Sequence, residues 1–335
     1  MKKIRKFLVG DVGGTNCRLA ACDPINGTIS HIKIFPIREL ESLEEALDHF
    51  KESHQEHSYS KAAISIANPI TGDRIAMTNA HWDFSIERTK QNCRLDHLLM
   101  LNDWESVAVS LPLLTDSDLE RINDNEANEF GNRALCGVGT GLGAAGLVGG
   151  KDSGWFPVAG EGGHVSFSPL NHEEIQILET LRDIHDHVSF EKILSGAGLV
   201  ALHQAINRIA GVKNETLSPQ KIVSQAATAN DPICERTVKV FCRVLGNFAG
   251  NLSLTLGAIG GIYIGGGVIQ KMHEAGVFHR EEFLSGLTRK GRLSDWLNNI
   301  PAYLIKTPFA GLIGSAAALG VDHASVSVEP TVHRL

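Results

Sequence analysis

Three short glycine-rich segments combine glycine with residues that can bind phosphate. They are Asp11–Asn16, Gly137–Gly143 and Gly265–Gly267. Because glycine carries no Cβ, its backbone N–H groups can approach a ligand closely, and successive N–H groups form a nest that binds anions. Thr15 and Thr140 add hydroxyl groups that can reach phosphate oxygens. The segments predict phosphate binding, although any one of them alone also fits a tight hairpin.

The glycine segments differ from the two most familiar nucleotide motifs. The P-loop pattern G-x-x-x-x-G-K-[ST] is absent, and no G-x-G-x-x-G follows a predicted strand and opens a helix. Glycine is still abundant, at 34 of 335 residues, about 10% against a usual ~7%. The excess is concentrated in these and a few other loops, which makes the loops the candidate ligand sites.

Two carboxylates stand at the ends of predicted strands. Asp103 follows the apolar run Leu98–Leu101, where its carboxylate can point into a cleft or cap a helix that starts at Trp104. Asp11 closes the first strand, where it can orient water on Mg²⁺ or cap the turn.

The predicted strands and helices that position these residues form two successive segments of the chain. The first ~112 residues are predicted to run β-β-β-α-β-…-β-α. Strands at Phe7–Val12, Cys17–Cys22 and Thr28–Phe35 form an antiparallel meander. A helix is predicted at Ser42–Ser53, where Ser42 and Glu45 form an S-x-x-E capping box. A buried parallel strand at Ala62–Ala67, a strand at Leu98–Leu101 and a helix at Trp104–Leu111 follow.

A polar stretch at Thr115–Asn132 is the best candidate domain boundary, and the second segment follows it. The predicted strands are Ala134–Val138, Ala144–Val148 and Gly261–Ile264, with a turn at 149–152. The predicted helices are Glu173–His185, Phe190–Leu194, Gly198–Ile209 and Glu235–Leu256. Both segments contain a strand, a glycine–threonine turn and a returning strand, a weak internal repeat typical of a duplicated fold.

Composition argues against several classes of protein. With 31 Lys+Arg against 38 Asp+Glu, the net charge is −7. The sequence has no long basic run of the kind that would favour a nucleic-acid partner. No apolar stretch reaches the ~18 residues of a membrane span, and the apolar run near the N-terminus is too short for a secretory leader. Six cysteines without C-x-x-C spacing are typical of small core residues in a reducing cytoplasm.

The phosphate-loop residues resemble motifs of the sugar-kinase/actin/chaperone ATPase superfamily. The first and second phosphate motifs and the adenosine motif are matched by Asp11-x-Gly13-Gly14-Thr15-x-x-Arg18, Gly139-Thr140-Gly141-Leu142-Gly143 and Ile264–Ile269. More narrowly, the chain resembles the bacterial-type glucokinase family over roughly residues 7–319. The other matching blocks are Pro69–Asp73, Met77–Asn79, Asn102-Asp103, Gly160–Val165, Leu194–Gly196 and Gly311–Ser315.

The resemblance implies an α/β fold of two ribonuclease-H-like (actin-like ATPase) domains around a central cleft. The expected small domain is 1–114 plus 304–335, and the larger domain is 115–303. The implied reaction is transfer from ATP to the 6-hydroxyl of D-glucose, giving glucose 6-phosphate and ADP, the first step of glycolysis. A cytoplasmic homodimer is expected, without a nucleic-acid or membrane partner.

The resemblance also assigns roles to individual residues. Asp103 is expected to act as the general base. The expected sugar-binding residues are Asn79, Asn102, Asp103, Glu161, His164 and Glu191. The expected ATP-binding residues are Asp11, Gly13, Gly14, Thr15, Asn16, Gly139, Thr140, Gly141, Gly265 and Gly266. The assignment of Glu191 depends on a less distinctive segment, and Glu191 would also fit on the solvated face of a helix.

Mg²⁺ is expected mainly on the nucleotide phosphates, and no metal cage of protein side chains is predicted. In the related repressor/kinase (ROK) family a histidine placed like His164 pairs with a cysteine run to hold zinc. Here no cysteine occurs between Cys136 and Cys234, so that zinc site is not expected.

Four positions depart from the family pattern and leave sugar preference open. They are Cys17, Asn68, Trp104 and Ala197. The alternative functions are a kinase for another hexose or an amino sugar, and a chaperone-like ATPase without sugar chemistry. A sugar-sensing regulator would need a DNA-binding helix-turn-helix before a phosphate loop that begins at residue 10. The donor also stays open between ATP, ADP and polyphosphate.

Overall fold

A computed structural model describes residues 3–77, 80–150, 154–212, 215–321, 326–329 and 332–334. The chain divides into two compact units, Met1–Ser117 with Thr307–Leu335, and Asp118–Lys306. The divisions expected from the sequence lie slightly earlier, at 114/115 and 303/304. Over the described ranges, no helix combines the length and the apolar character needed to span a membrane.

Fifteen strands and eleven α-helices make up the described structure. The strands are β1 (Ile4–Val12), β2 (Asn16–Cys22), β3 (Thr28–Pro36), β4 (His57–Ile66), β5 (Arg74–Ala76), β6 (Asp83–Ser85), β7 (His97–Asn102), β8 (Leu119–Arg121), β9 (Arg133–Val138), β10 (Leu142–Gly150), β11 (Gly154–Gly160), β12 (Ile262–Gly265), β13 (Ala302–Ile305), β14 (Ser327–Val328) and β15 (Val332–Arg334). The helices are α1 (Leu43–Ser53), α2 (Ile86–Asn92), α3 (Asp103–Ser110), α4 (His172–Arg182), α5 (Gly196–Ile209), α6 (Pro219–Ala227), α7 (Pro232–Leu256), α8 (Gly267–Glu274), α9 (Arg280–Thr288), α10 (Ser294–Asn298) and α11 (Ala310–Ala318).

The first unit is built on a sheet of order β14-β3-β2-β1-β4-β7, with β15 also paired to β3. The predicted antiparallel meander of β1, β2 and β3 is confirmed, and β4 runs parallel to both β1 and β7. Successive residues of β1 point to opposite faces, so Leu8 packs in a core that includes Phe50 of α1, and Val9 in one that includes Leu312 of α11. Helices therefore cover both faces of the sheet.

The N-terminus of α1 shows a variation on the predicted capping box. The Ser42 hydroxyl accepts a hydrogen bond from the Glu45 N–H, as expected. The Glu45 carboxylate, however, accepts from the N–H of Glu41 instead of that of Ser42. The side-chain cap at Ser42 is therefore present, and the returning hydrogen bond of the box lies one residue before the N-cap.

The second unit is built on a sheet of order β11-β10-β9-β12-β13-β8. Its helical layer includes α7, a 25-residue helix with 14 buried residues. Strand β11 was not predicted, because Pro157 interrupts its apolar run and glycine stands at both ends. It is an edge strand with mostly exposed residues. The turn predicted at 149–152 is wrong for its first two residues, since β10 continues through Gly150; residues 151–152 lie outside the described ranges.

The helix predicted at Phe190–Leu194 is also corrected. The structure has a 3₁₀ turn at Phe190–Lys192, and a second 3₁₀ turn lies at Gly162–His164.

The two sheets share one strand order. Taken in chain order within each unit, β3-β2-β1-β4-β7 and β11-β10-β9-β12-β13 both read 3-2-1-4-5, with two antiparallel pairings followed by two parallel ones. This is the ribonuclease-H-like arrangement expected from the sequence, and it shows that the weak internal repeat reflects two copies of one topology.

Candidate active site

In the first unit, a tight turn between β1 and β2 carries the first glycine segment. The Gly13 N–H donates to the Asn16 carbonyl at 3.0 Å, which closes the turn. Gly14 and Thr15 lie exposed at its tip. Three of the five ATP-binding residues expected here, Gly13, Gly14 and Thr15, lie outside both strands. The Gly13 N–H closes the turn, and Gly14 and Thr15 lie beyond the β1–β2 register.

Asp11 is held in one orientation beside that turn. Its carboxylate accepts from Arg18 Nη1 at 2.8 Å and from the Ser65 hydroxyl at 3.2 Å. Helix α11 approaches so closely that a Cβ on Gly311 would lie 2.9 Å from the Asp11 carboxyl carbon. Ser65 was not singled out from the sequence, and the one signal for it is a hydroxyl inside the apolar run of β4.

Strand register brings the turn and Asp103 to the same edge of the sheet. Because β1, β4 and β7 are parallel, their carboxyl ends meet there: Val12 pairs with Ile66, and Ile66 pairs with Asn102. Strands lie about 4.8 Å apart, so the two chain segments leave the sheet about 10 Å from each other. Residues 90 positions apart in the sequence thus belong to one local site within this unit.

Asn102, and not Asp103, caps α3. The Asn102 side-chain oxygen accepts from the N–H groups of Trp104 and Glu105, and the Glu105 carboxylate accepts from the Asn102 N–H in return. Asp103 is the first residue of the helix, is partly exposed, and accepts from the Trp104 N–H at 2.9 Å. The alternative reading of Asp103 as the N-cap is therefore wrong. The side-chain nitrogen of Asn102 also donates to the Asn68 carbonyl at 3.4 Å, so both the oxygen and the nitrogen of the side-chain amide form hydrogen bonds.

Of the remaining first-unit positions, Asn79 lies outside the described residues. Asn68 donates to the Pro69 carbonyl, while its own side-chain oxygen is buried without a hydrogen-bond partner. Cys17 is fully buried, and burial together with the charge of Asp11 raises the pKa of its thiol. The thiol is therefore protonated at neutral pH and acts as a core residue beside the turn.

In the second unit, the glycine–threonine turn is shorter than the glycine segment suggests. Strands β9 and β10 pair through Val138 and Leu142, which leaves Gly139-Thr140-Gly141 as the connecting turn. The Gly139 carbonyl accepts from the Gly196 N–H at 3.0 Å, so the N-terminus of α5 is joined to the turn. Thr140 is exposed at the tip.

Glu191 contacts this turn directly. Its Oε2 atom accepts from the Leu142 N–H at 2.9 Å, and a Cβ on Gly141 would lie 2.5 Å from the same oxygen. The residue is half-buried on the 3₁₀ turn that follows Ser189. The alternative of a solvated helix face is therefore wrong.

Glu161 and His164 lie on the 3₁₀ turn that follows β11, next to Glu191. Their side chains are mostly exposed, at 66% and 62%, and the Glu161 Oε2 and His164 Nε2 atoms are 4.0 Å apart. The turn is anchored because a Cβ on Gly163 would overlap the Leu142 carbonyl, and because Phe190 donates to the Val165 carbonyl at 3.0 Å. Three of the expected sugar ligands therefore surround one end of the β9–β10 hairpin.

The third glycine segment lies beside the second. Strands β9 and β12 are parallel and pair Gly137 with Gly265, so both segments leave the sheet at the same edge. Gly266 has φ +94° and ψ 155°, and a Cβ there would overlap the Val138 backbone. Only glycine fits a conformation with this φ against that wall. The chain then enters α8 at Gly267.

The fold and these sites define a class. Two ribonuclease-H-like units of one strand order, with glycine turns at the carboxyl ends of their parallel strands, form the two-domain actin-like ATPase fold. Exposed carboxylate and imidazole groups beside those turns suit a hydroxyl-bearing acceptor. The molecule is a kinase of that fold.

Comparison with known proteins gives the family. A family model described as Glucokinase matches residues 8–321. The glucokinase of Yersinia pestis strain Pestoides F is 43% identical over 312 residues, which cover 93% of this chain and 95% of the relative. The chain belongs to the glucokinase family.

Solved structures agree with this assignment. A glucokinase from an Antarctic psychrotroph has 32% sequence identity and a TM-score of 0.86, covering 95% of this chain and 99% of its own. A ROK-family glucokinase from Streptomyces griseus, solved with glucose and AMPPNP, has 18% identity and a TM-score of 0.63, covering 93% and 98%. Because the sequence identity is only 18%, the similarity to the Streptomyces griseus structure supports the fold alone.

Proposed function

We propose that this enzyme transfers the γ-phosphoryl group of ATP to the 6-hydroxyl of D-glucose, giving glucose 6-phosphate and ADP, as the first step of glycolysis. Family membership supports glucose as the acceptor. A protein of the same fold, the Streptomyces griseus ROK-family glucokinase, is solved with glucose and AMPPNP, which shows that this fold can hold such a pair. The observation that carries the proposal is the position of Asp103, one residue beyond a strand whose end is in register with the glycine turn after β1.

The phosphates of ATP would bind to the exposed N–H groups of the glycine turns. Gly14 and Thr15 supply N–H groups from one turn, and Thr140 and Gly141 from the other. Gly13 and Gly139 close these turns with their own N–H groups and let the phosphates approach closely, with Asn16 at the base of the first turn. Gly265 and Gly266 would border the adenosine. Backbone nests bind anions without side-chain reorganisation, because the strands on either side of each turn already fix the N–H directions.

Asp11 is suited to Mg²⁺ through a water molecule. Both of its carboxylate oxygens already accept hydrogen bonds from the protein, from Arg18 and Ser65, so a second layer of contacts is a better fit than direct ligation. When bound, Mg²⁺ neutralises charge on the β- and γ-phosphates. The residues that hold Asp11 fix the direction in which it presents its charge.

Asp103 would act as general base for the sugar hydroxyl. The carboxylate receives the proton of the 6-hydroxyl as that oxygen bonds to phosphorus and the bond from phosphorus to ADP breaks. Its backbone is fixed by the cap at Asn102, and one of its oxygens by the Trp104 N–H. A positioned base of this kind contributes roughly 10²–10⁴-fold.

Sugar recognition would use the exposed polar groups near the second turn, together with Asn102 and Asn79. Glu161 and His164 are exposed and side by side, so they can accept from and donate to neighbouring hydroxyls. Glu191 uses Oε2 for the turn, which leaves Oε1 as the oxygen for the sugar. Glu191 thus links the glucose contacts to the phosphate turn within the second unit.

Asp103→Asn is the direct test. Asparagine keeps an oxygen for the Trp104 N–H but cannot take a proton, so kcat should fall by about 10²–10⁴-fold while the glucose KM changes much less. Glu105→Gln is the matched control, because it removes a charge from the same helical turn and keeps an acceptor for the Asn102 N–H. A kcat for Asp103→Asn within tenfold of wild type would falsify the base assignment.

A hexose and donor panel tests the rest of the proposal. Glucose with ATP should give the highest kcat/KM. A higher value for another hexose or an amino sugar, or for ADP or polyphosphate as donor, would replace the substrate or donor named here. ATP hydrolysis unchanged by any sugar would favour a chaperone-like ATPase.

We also propose a cytoplasmic homodimer. The six cysteines are free and buried, as suits a reducing compartment. Edge strand β11 exposes Phe156 (59%) and Val158 (42%) on one face, a surface that protein contacts commonly cover. Light scattering of the purified chain should give twice the 36.2 kDa monomer mass, and Phe156→Glu should shift it toward the monomer.

A further inference from the structure

A group of three potential metal ligands lies inside the second unit, apart from the glycine turns. Their ligand atoms, one each from His203, Asp231 and Cys234, all lie within 4.8 Å of one another. Among the residues described by the structure, this is the one group of three or more His, Cys, Asp or Glu side chains with that spacing. We propose that it is a site for a zinc-class divalent transition metal.

The distances fit a tetrahedral ion. The Cys234 Sγ atom is 3.7 Å from His203 Nε2 and 3.4 Å from the Gln225 side-chain oxygen. With metal–sulfur and metal–nitrogen bonds of about 2.3 and 2.0 Å, a sulfur and a nitrogen ligand of a tetrahedral ion are separated by about 3.5 Å. Gln225 is therefore placed to supply, directly or through water, the fourth position.

The ligand chemistry selects the metal. A thiol, an imidazole and a carboxylate together favour Zn²⁺, whereas Mg²⁺ and Ca²⁺ prefer oxygen alone. Binding replaces the S–H bond of Cys234 with a metal–sulfur bond and releases one proton to solvent, with no change of oxidation state. The thiolate and the Asp231 carboxylate then balance the two positive charges of the ion.

The surroundings are those of a closed, structural site. His203 and Cys234 are fully buried, while Asp231 is partly exposed and gives the ion a route from solvent. The side-chain nitrogen of Asn207, one turn beyond His203, lies 3.2 Å from His203 Nδ1 and 3.3 Å from Nε2, so a polar group borders the buried imidazole ring.

The site would join three helices. His203 lies on α5, Gln225 on α6 and Cys234 in the first turn of α7, so the ion would link three helices that pack on one another in a shared core. Sequence spacing gave no sign of it, because His203 and Cys234 are 31 residues apart and belong to no metal motif. The site is distinct from the ROK zinc cluster, which was not expected here.

Cobalt absorption tests the proposal on the full chain, first stripped with a chelator. One equivalent of Co²⁺ should produce a thiolate-to-cobalt charge-transfer band and the strong visible bands of a tetrahedral ion, and excess Zn²⁺ should abolish both. Cys234→Ser should lose the charge-transfer band. Cys242→Ser, which changes another buried cysteine of α7, should keep it.

Asp231→Asn gives a second variant that preserves the fold. Asp231 caps α7 by accepting from the N–H groups of Ile233 and Cys234, and asparagine retains that oxygen while removing the charge. The Zn²⁺ dissociation constant of Asp231→Asn should be at least tenfold higher than that of wild type. In a separate thermal-unfolding experiment, added Zn²⁺ should raise the Tm of wild type more than the Tm of His203→Gln. A wild-type chain without the charge-transfer band, or a band that survives Cys234→Ser, would show that the group is only a buried hydrogen-bond network.

Discussion

Glu191 Oε2 and the backbone N–H of Leu142 are joined by a hydrogen bond of 2.9 Å. The bond connects a residue expected to bind sugar with the turn expected to bind phosphate. Because one oxygen is held by the turn, the other has a fixed direction. We infer that Glu191 both stabilises the β9–β10 turn and orients an acceptor for the sugar, and two variants separate these roles.

Glu191→Ala should destabilise the second unit, since Leu142 is buried and its N–H would lose its acceptor. An unsatisfied buried N–H costs about 1–3 kcal/mol, which corresponds to a loss in Tm of roughly 2–12 °C. Glu191→Gln keeps an acceptor and should retain most of the stability, while both variants raise the glucose KM. Equal Tm values for wild type and Glu191→Ala, measured by thermal unfolding, would contradict the structural role.

Asn102 also combines two roles, the cap of α3 and the expected contact with sugar. Asn102→Ala should lower the free energy of unfolding by about 0.5–2 kcal/mol, because the Glu105 N–H loses its side-chain acceptor and the Trp104 N–H keeps only the Asp103 carboxylate. Asn102→Ser restores a capping oxygen but not the amide, so it should regain stability while its glucose KM stays high. If denaturant unfolding and kinetics show that the serine variant recovers both, Asn102 acts only as a cap.

The Arg18–Asp11 ion pair gives a prediction for the nucleotide. Arg18→Met would leave Asp11 without its 2.8 Å partner, and a charged hydrogen bond of this kind is worth about 1.5–3 kcal/mol. The KM for Mg·ATP should therefore rise about 10–100-fold, with the glucose KM nearly unchanged. Lys6→Met is the control, because Lys6 makes a 2.8 Å pair with Asp23 on the same sheet, far from the turn. Steady-state kinetics in which both variants behave alike would rule out a specific role for Arg18.

These relationships show where sequence reasoning succeeds and where it stops. The meander of β1–β3 and the parallel strand β4 were predictable, because alternation, turn residues and apolar runs are local signals. The cap at Asn102 was not, since the choice between two adjacent polar residues depends on one backbone torsion. The Glu191–Leu142 bond joins residues 49 positions apart and follows from packing alone.

Edge strand β11 and the His203 group show two further limits. The sequence of β11 has a central proline and glycine at both ends, which argue against a strand, and its pairing with β10 is what makes it one. The histidine, aspartate and cysteine of the proposed metal site come together through the packing of α5 against α7. No spacing along the chain contains that information.

Gly266 provides a test of the third glycine segment. Its φ of +94° and ψ of 155° are accessible essentially only to glycine, and a Cβ would overlap the Val138 backbone at the end of β9. Gly266→Ala should therefore cost at least about 1–3 kcal/mol, lower the Tm by several degrees and weaken ATP binding, because relief of the overlap must push the second phosphate turn away.

Gly267→Ala is the matched variant for that test. Gly267 is exposed, has open space where a Cβ would lie and begins α8, where alanine is the better helix former. Its Tm should stay at or above that of wild type. Thermal unfolding and ATP titration of the two variants side by side separate a conformational requirement at Gly266 from a general intolerance of the segment. If both alanine variants melt with wild type, the close approach of Gly266 to Val138 contributes nothing to the fold.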